Sequence, residues 1–220
     1  VKTHSVVFWE VDVQADFMLP GGKLYVPGAE KIIPNVERLM RSARDGGVFL
    51  VASGDAHTPD DPEFKVFPPH CVKGTPGAAI VPQGLMETYL ALPNEAPFVL
   101  PANVLDYPQV VLEKQTLDVF DNPKAGELVR LLNRKFGLES DSGVEYVVFG
   151  VVTEYCVRCA AKGLLDRGCQ VAIVRDAIET LGAEEGRHAL EELTARGARL
   201  ITTDEALALA RTARAQQVKL

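Results

Sequence analysis

Six short apolar runs recur along the chain: residues 5–12, 48–55, 109–114, 146–152, 169–174 and 198–201. Most are nearly continuous stretches of Val, Ile, Leu and Phe, without the in–out alternation of a sheet that has one wet face. That pattern marks strands covered on both sides. The segments between them have helical period instead. Ile32, Ile33, Val36, Leu39, Met40 and Ala43 form one apolar stripe ahead of Gly46-Gly47, and Leu128, Leu131, Leu132 and Phe136 form another that closes at Gly137. Residues 155–167 and 184–196 read as two more helices, stopped by Gly168 and Gly197, and a last one over about 204–215 follows Thr203 as N-cap. Strands alternating with glycine-stopped helices predict an α/β chain with three layers, α/β/α, around a mostly parallel six-stranded sheet.

One region breaks the rhythm. Of 14 prolines, 10 lie between Pro59 and Pro108, so residues 57–108 are expected to be an ordered, site-forming loop within a single domain spanning 1–220. A hydrophobic content of 47% excludes intrinsic disorder. With 23 basic against 30 acidic residues the formal charge is −7, which argues against a nucleic-acid partner. No window approaches the ~18 apolar residues of a membrane span. Val1-Lys2-Thr3-His4 leads straight into a strand-like run and is not expected to be a signal peptide. The four cysteines, at 71, 156, 159 and 169, are expected to be reduced thiols in a cytoplasmic protein.

In open parallel sheets, ligands bind beyond the carboxyl ends of the strands. There the sequence places Asp12, Asp55, Lys114 and, just past the fourth run, Cys156. A carboxylate, an ammonium and a thiol at one rim compose a nucleophilic site, because the thiolate is the reactive form and neighbouring charges set its protonation. Cys156 lies near the start of a helix, whose amides stabilise a thiolate or an oxyanion. Its alternative is a buried structural cysteine. Cys156-Val157-Arg158-Cys159 also spells a CxxC redox motif, although it falls late in the chain and inside a helical segment.

Asp55-Ala56-His57 leaves the second strand, followed by Glu63 and His70. Two imidazoles and a carboxylate suit one divalent transition metal, Zn²⁺ foremost and Fe²⁺ or Mn²⁺ as well, with Glu63 as a fourth candidate ligand. The alternative is a pair of surface histidines. His4 and His188 have no comparable context. Phe17, Phe67 and Phe120 stand close in sequence to the candidate site residues and suit either core packing or walls for a flat ligand.

These motifs resemble the nicotinamidases of the isochorismatase-like cysteine hydrolases, a Rossmann-like fold. The resemblance rests on Val11-Asp12-Val13-Gln14-Ala15-Asp16-Phe17 with Pro20-Gly21-Gly22, on Asp55-Ala56-His57, on 62–70 with Gly74-Thr75-Pro76-Gly77, on Lys114, and on 150–157. It covers about residues 5–203. It implies a triad of Asp12, Lys114 and Cys156, with Asp12 taking the thiol proton and returning it to departing ammonia. It further implies an oxyanion hole from the backbone N–H groups of Val152 and Cys156, and a cis peptide between Val151 and Val152. Asp55, His57 and His70 would hold the metal, Glu63 joining in some members, and Phe17 and Phe67 would flank the substrate ring. The implied reaction is hydrolysis of nicotinamide, a small neutral amide, through a thioester, by a homo-oligomer.

The chain departs from the family pattern after the lysine. Nicotinamidases commonly carry an aromatic residue, a serine and a phenylalanine there; this chain keeps Phe120 but has Leu117 and Asp118. Ala56 replaces a frequent tryptophan. Leu117 and the retained Phe120 are the expected substrate-binding wall on this side, and the departures at Leu117 and Asp118 imply a different pocket wall. The alternative function is hydrolysis of another small amide, pyrazinamide-like or carbamoyl-type.

Overall fold

The computed structural model describes residues 5–45, 48–95, 99–137 and 143–217. His4 and the expected helix stop at Gly46-Gly47 lie outside them. Among the described residues, seven strands, all pairing in parallel, form one sheet. They are β1 (Ser5–Val11), β2 (Phe49–Asp55), β3 (Leu90–Leu92), β4 (Gln109–Lys114), β5 (Val144–Gly150), β6 (Gln170–Ile178) and β7 (Arg199–Ile201). The spatial order is β3-β4-β2-β1-β5-β6-β7.

The expectation of six strands is corrected by β3. Leu90-Ala91-Leu92 pairs with β4 at the sheet edge, inside the proline-rich stretch. A three-residue strand is too short to show any period, so only tertiary pairing defines it.

The helices are α1 (Ala15–Met18), α2 (Ile33–Arg44), α3 (Ala125–Gly137), α4 (Arg158–Asp166), α5 (Ala183–Ala195) and α6 (Thr203–Gln217). The apolar stripe of α2 and the small residues Ala206, Ala210 and Ala213 of α6 cover Phe8, Leu50, Val147 and Phe149 on one face of the sheet. On the other face, α3, α4 and α5 cover Val7, Trp9, Val51, Leu112, Tyr146 and Val148. Strands buried on both faces explain the continuous apolar runs. From central β1 the chain moves to its neighbour β2, then to the edge strand β3 and back to β4 between them, before crossing to β5, β6 and β7 on the other side of β1. The winding direction therefore reverses between β1 and β5, and the crevice beyond their carboxyl ends is the natural ligand position.

Two backbone features shape that crevice. Gly150 has φ +119° where β5 closes on β1, and a Cβ there would stand 2.0 Å from Val11 O, so only glycine permits the approach. Beyond it, the N–H groups of Tyr155 and Val157 both return to Val152 O at 3.1 Å. The helix predicted over 155–167 is thus a π-helical turn, Thr153–Val157, that leads into α4.

Candidate active site

Asp12, Lys114 and Cys156 meet at the carboxyl rim of β1, β4 and β5, all of them buried. Lys114 Nζ lies 2.9 Å from Asp12 Oδ2 and donates to Cys156 Sγ at 3.5 Å. It also pairs with Asp55 Oδ1 across the β2–β4 register, where Asp55 stands opposite Lys114. Asp12 sits just past β1 with φ +50°, and Ser53 Oγ donates to its Oδ1 at 2.8 Å. One cation thus serves two carboxylates and a thiol. Burial acts against the Lys114 ammonium, but Asp12, Asp55 and the sulfur outweigh it and hold Lys114 protonated well above the usual lysine range. Burial also pushes the Cys156 thiol well up, with Lys114 opposing and Asp12 and Asp55 adding to the rise. Asp12 is raised too, first by burial, with Lys114 pulling against it. The resting site therefore keeps the thiol protonated beside a carboxylate able to receive its proton.

The second oxygen of Asp55 faces two imidazoles: Oδ2 is 3.6 Å from His57 Nε2 and 3.5 Å from His70 Nε2. His70 Nδ1 is engaged with Pro68 O at 2.8 Å, which leaves Nε2 turned toward Asp55. Neither ring nitrogen of buried His57 makes a hydrogen bond among the described residues, although Asp61 Oδ2 lies 3.1 Å from Nδ1. One donor atom from each of Asp55, His57 and His70 falls within 4.8 Å of the others. Bonds of ~2.1 Å to a tetrahedral ion separate neighbouring donors by about 3.4 Å, so the spacing and the unbonded imidazole both fit a divalent metal. Glu63 stands outside this cluster, on the cavity wall.

A slot opens above the sulfur, lined by Phe17, Leu24, Phe67, Leu117, Tyr155 and Leu181 together with Asp12, Cys156, Asp55, Glu63 and His70. The slot and its open mouth together hold about 380 Å³. Its mostly apolar walls suit a small ligand with an apolar face. Phe120, expected to form part of this wall, packs elsewhere. Its N–H caps onto Asp118 Oδ1 at 2.9 Å in the turn Val119–Asp121, which directs the ring away from the slot. It stacks on Trp9 with centroids 5.9 Å apart, beneath the Arg167 guanidinium, whose Cζ is 3.7 Å from the ring centre. Asp118, a departure in the sequence motif, is thus a turn cap.

An isochorismatase-domain family model matches residues 7–85 and 90–205. The chain belongs to the isochorismatase family. A nicotinamidase/pyrazinamidase of Mycobacterium tuberculosis is 30% identical over 200 residues, covering 87% of this chain and 95% of the relative. A pyrazinamidase of Pyrococcus horikoshii, solved in complex with zinc, superposes with a TM-score of 0.68 at 31% identity, covering 90% of this chain and 99% of the other. The N-carbamoylsarcosine amidase of Thermoplasma acidophilum shares the fold at 23% identity, with a TM-score of 0.66 over 91% of this chain and 97% of its own.

Against this family background, the peptide bond between Val151 and Val152 is cis, as the resemblance implies. All four cysteines are free, with Cys71, Cys156 and Cys169 buried and Cys159 half-buried. His188 is exposed on α5. No helix among the described residues is long and apolar enough to cross a membrane. Sequence reasoning missed Leu24, Tyr155 and Leu181 on the slot, and Asp61 beside His57. Only Tyr155, adjacent to Cys156, carried a signal. The others are ordinary residues whose positions depend on where loops land.

Proposed function

We propose that this isochorismatase-family chain is a metal-containing cysteine amidase that hydrolyses nicotinamide to nicotinic acid and ammonia. The observation that carries the reading is that Asp55 is shared: one oxygen pairs with the lysine beside the thiol, the other faces two imidazoles, so nucleophile and metal cluster serve one slot. The M. tuberculosis and P. horikoshii relatives support this reaction class.

Asp12 takes the Cys156 proton as sulfur attacks the amide carbonyl carbon. Lys114 keeps its protons throughout and holds Asp12 and Asp55 as a fixed counter-charge. The N–H groups of Val152 and Cys156 hold the oxygen that becomes negative. Those of Val151 and Thr153 are already committed, to Val11 O at 2.9 Å and Glu179 O at 2.8 Å. When the C–N bond breaks, the leaving nitrogen receives the proton from Asp12 and departs as ammonia. Asp12 then takes a proton from the water that cleaves the thioester and returns it to sulfur. Asp55, His57 and His70 would hold the metal, which when bound orients the substrate by its ring nitrogen. Phe17 and Phe67 supply apolar faces for the ring.

A second reading, hydrolysis of a different small neutral amide, is favoured by one observation: Leu117, where the family pattern differs, lines the slot. Ammonia release from nicotinamide, pyrazinamide and non-pyridine amides, with and without chelator, tests both. Chelator-sensitive turnover of nicotinamide is the expected result. Turnover confined to non-pyridine amides, indifferent to chelator, would replace the first reading with the second.

A further inference from the structure

Asp12-Val13-Gln14-Ala15-Asp16 contributes one catalytic candidate, yet Gln14 and Asp16 are also polar and almost fully buried, at 2% and 5% exposure. Gln14 spends its bonds on the metal-side segments, and Asp16 commits one of its two oxygens there. Gln14 Oε1 accepts from Asp55 N at 2.7 Å, and Nε2 donates to Asp55 O at 2.8 Å and to Ala78 O at 2.7 Å. The main chain of Asp55 is thus held on both sides by one amide. Asp16 Oδ2 accepts from Cys71 N at 2.7 Å, and Oδ1 accepts from Lys23 N at 2.9 Å. Gly77 presses on the same carboxylate, since a Cβ there would stand 2.2 Å from Asp16 Oδ2.

Cys71 is the hinge of this arrangement. It follows His70 directly, its carbonyl accepts from His57 N at 3.2 Å, and it has φ +43°. Among the described residues only Asp12 and Cys71 are non-glycines with positive φ. A side-chain carboxylate on the Cys71 amide secures that conformation, and so fixes the main chain of both histidines at once. The aim of a ligating side chain follows from its backbone, and the groups that orient ligands tune metal affinity.

We propose that Gln14 and Asp16 are positioning residues for the metal: Gln14 sets Asp55, and Asp16, through Cys71, sets His57 and His70. The proposal rests on reading those three as ligands. Co²⁺ is the probe, measured by competition with a chromophoric chelator and by its visible absorption bands. Gln14→Leu weakens Co²⁺ binding about 10–100-fold and Asp16→Asn about 10-fold, and both alter the bands. Gln109→Leu is the matched comparison. Gln109 is an equally buried amide bonded to Gly84 O and Met86 N, remote from the ligands, and its loss leaves Co²⁺ affinity unchanged. Folded variants at positions 14 and 16 that bind Co²⁺ like the wild type would overturn the proposal, as would an equal loss in Gln109→Leu. Wild-type protein that binds no Co²⁺ would overturn the ligand reading and this proposal with it. If Gln14→Leu does not fold, Asp16→Asn decides by the same two readouts.

Discussion

The slot has two sides built by different means. On the rim side, Asp12, Asp55, Lys114 and Cys156 stand at or just beyond the ends of parallel strands, and the sheet itself brings them together. Asp55 meets Lys114 because strand register pairs them. On the loop side, His57, Glu63, Phe67 and His70 come from a stretch that contributes to the sheet only through β3. Its place is set by buried side-chain bonds from Gln14 and Asp16 and by short 3₁₀ turns. Rim chemistry is thus fixed by a repeating backbone ladder, whereas loop chemistry hangs on a few individual bonds. Substitution of rim groups should therefore remove the reaction, while changes in the walls and loops should grade it.

The sharpest way to break the comparison is at the sulfur. Cys156→Ala is expected to lower kcat/KM for amide hydrolysis about 10⁴-fold or more, the scale of losing a covalent nucleophile, while folding is retained. Mass spectrometry of the wild-type protein quenched during turnover should find acyl adduct on Cys156. Adduct on Cys159 instead would move the nucleophile off the rim.

The same division explains what could be read in advance. Rim residues were legible because a buried run that ends in a charged residue announces both the strand and its end, and parallel strands share one ligand-binding edge. Asp55, His57 and His70 were legible as a set from their residue types and their start at a strand end. β3 was not legible, since Leu-Ala-Leu carries no period. Leu24 and Leu181 were not either, because nothing in a leucine says which loop it will face. Phe120 was misplaced on proximity alone. Six residues after Lys114 it should border the slot, but the Asp118 cap turns it, half-buried, onto the core between Trp9 and Arg167.

That correction yields the next largest effect. Phe120→Ala should cost about 3 kcal/mol of stability through lost packing on Trp9. The folded enzyme should keep an unchanged KM for its amide. Urea unfolding and initial rates on the same preparations check this, and a KM raised without loss of stability would return Phe120 to the pocket.

Glu10 tests the rim from beneath. It lies on β1 two residues before Asp12, wholly buried, and neither carboxyl oxygen meets a hydrogen-bond donor among the described residues. Burial, then the Asp12 charge, push its carboxyl well above the ordinary value of 4.5. The folded state therefore holds a proton that the unfolded chain releases. This contribution to stability is complete below that ordinary value and is lost as pH rises toward the raised one. Glu10→Met should be more stable than wild type by about 1–3 kcal/mol at pH 8, with the advantage shrinking toward pH 5. Urea midpoints at the two pH values decide it, and an advantage equal at both would mean that Glu10 finds its charge satisfied in the fold.

The smallest expected effect lies on the wall where the chain departs from the family pattern. Leu117 lines the slot but bonds to none of the triad or metal-side groups, so it can alter fit without altering chemistry. Leu117→Ala removes apolar contact worth about 1 kcal/mol to a bound ring, which raises KM about fivefold with kcat little changed. A fall in kcat with KM constant would mean that Leu117 acts in the transition state. The boundary between rim and wall would then have to be drawn to include the segment just after β4.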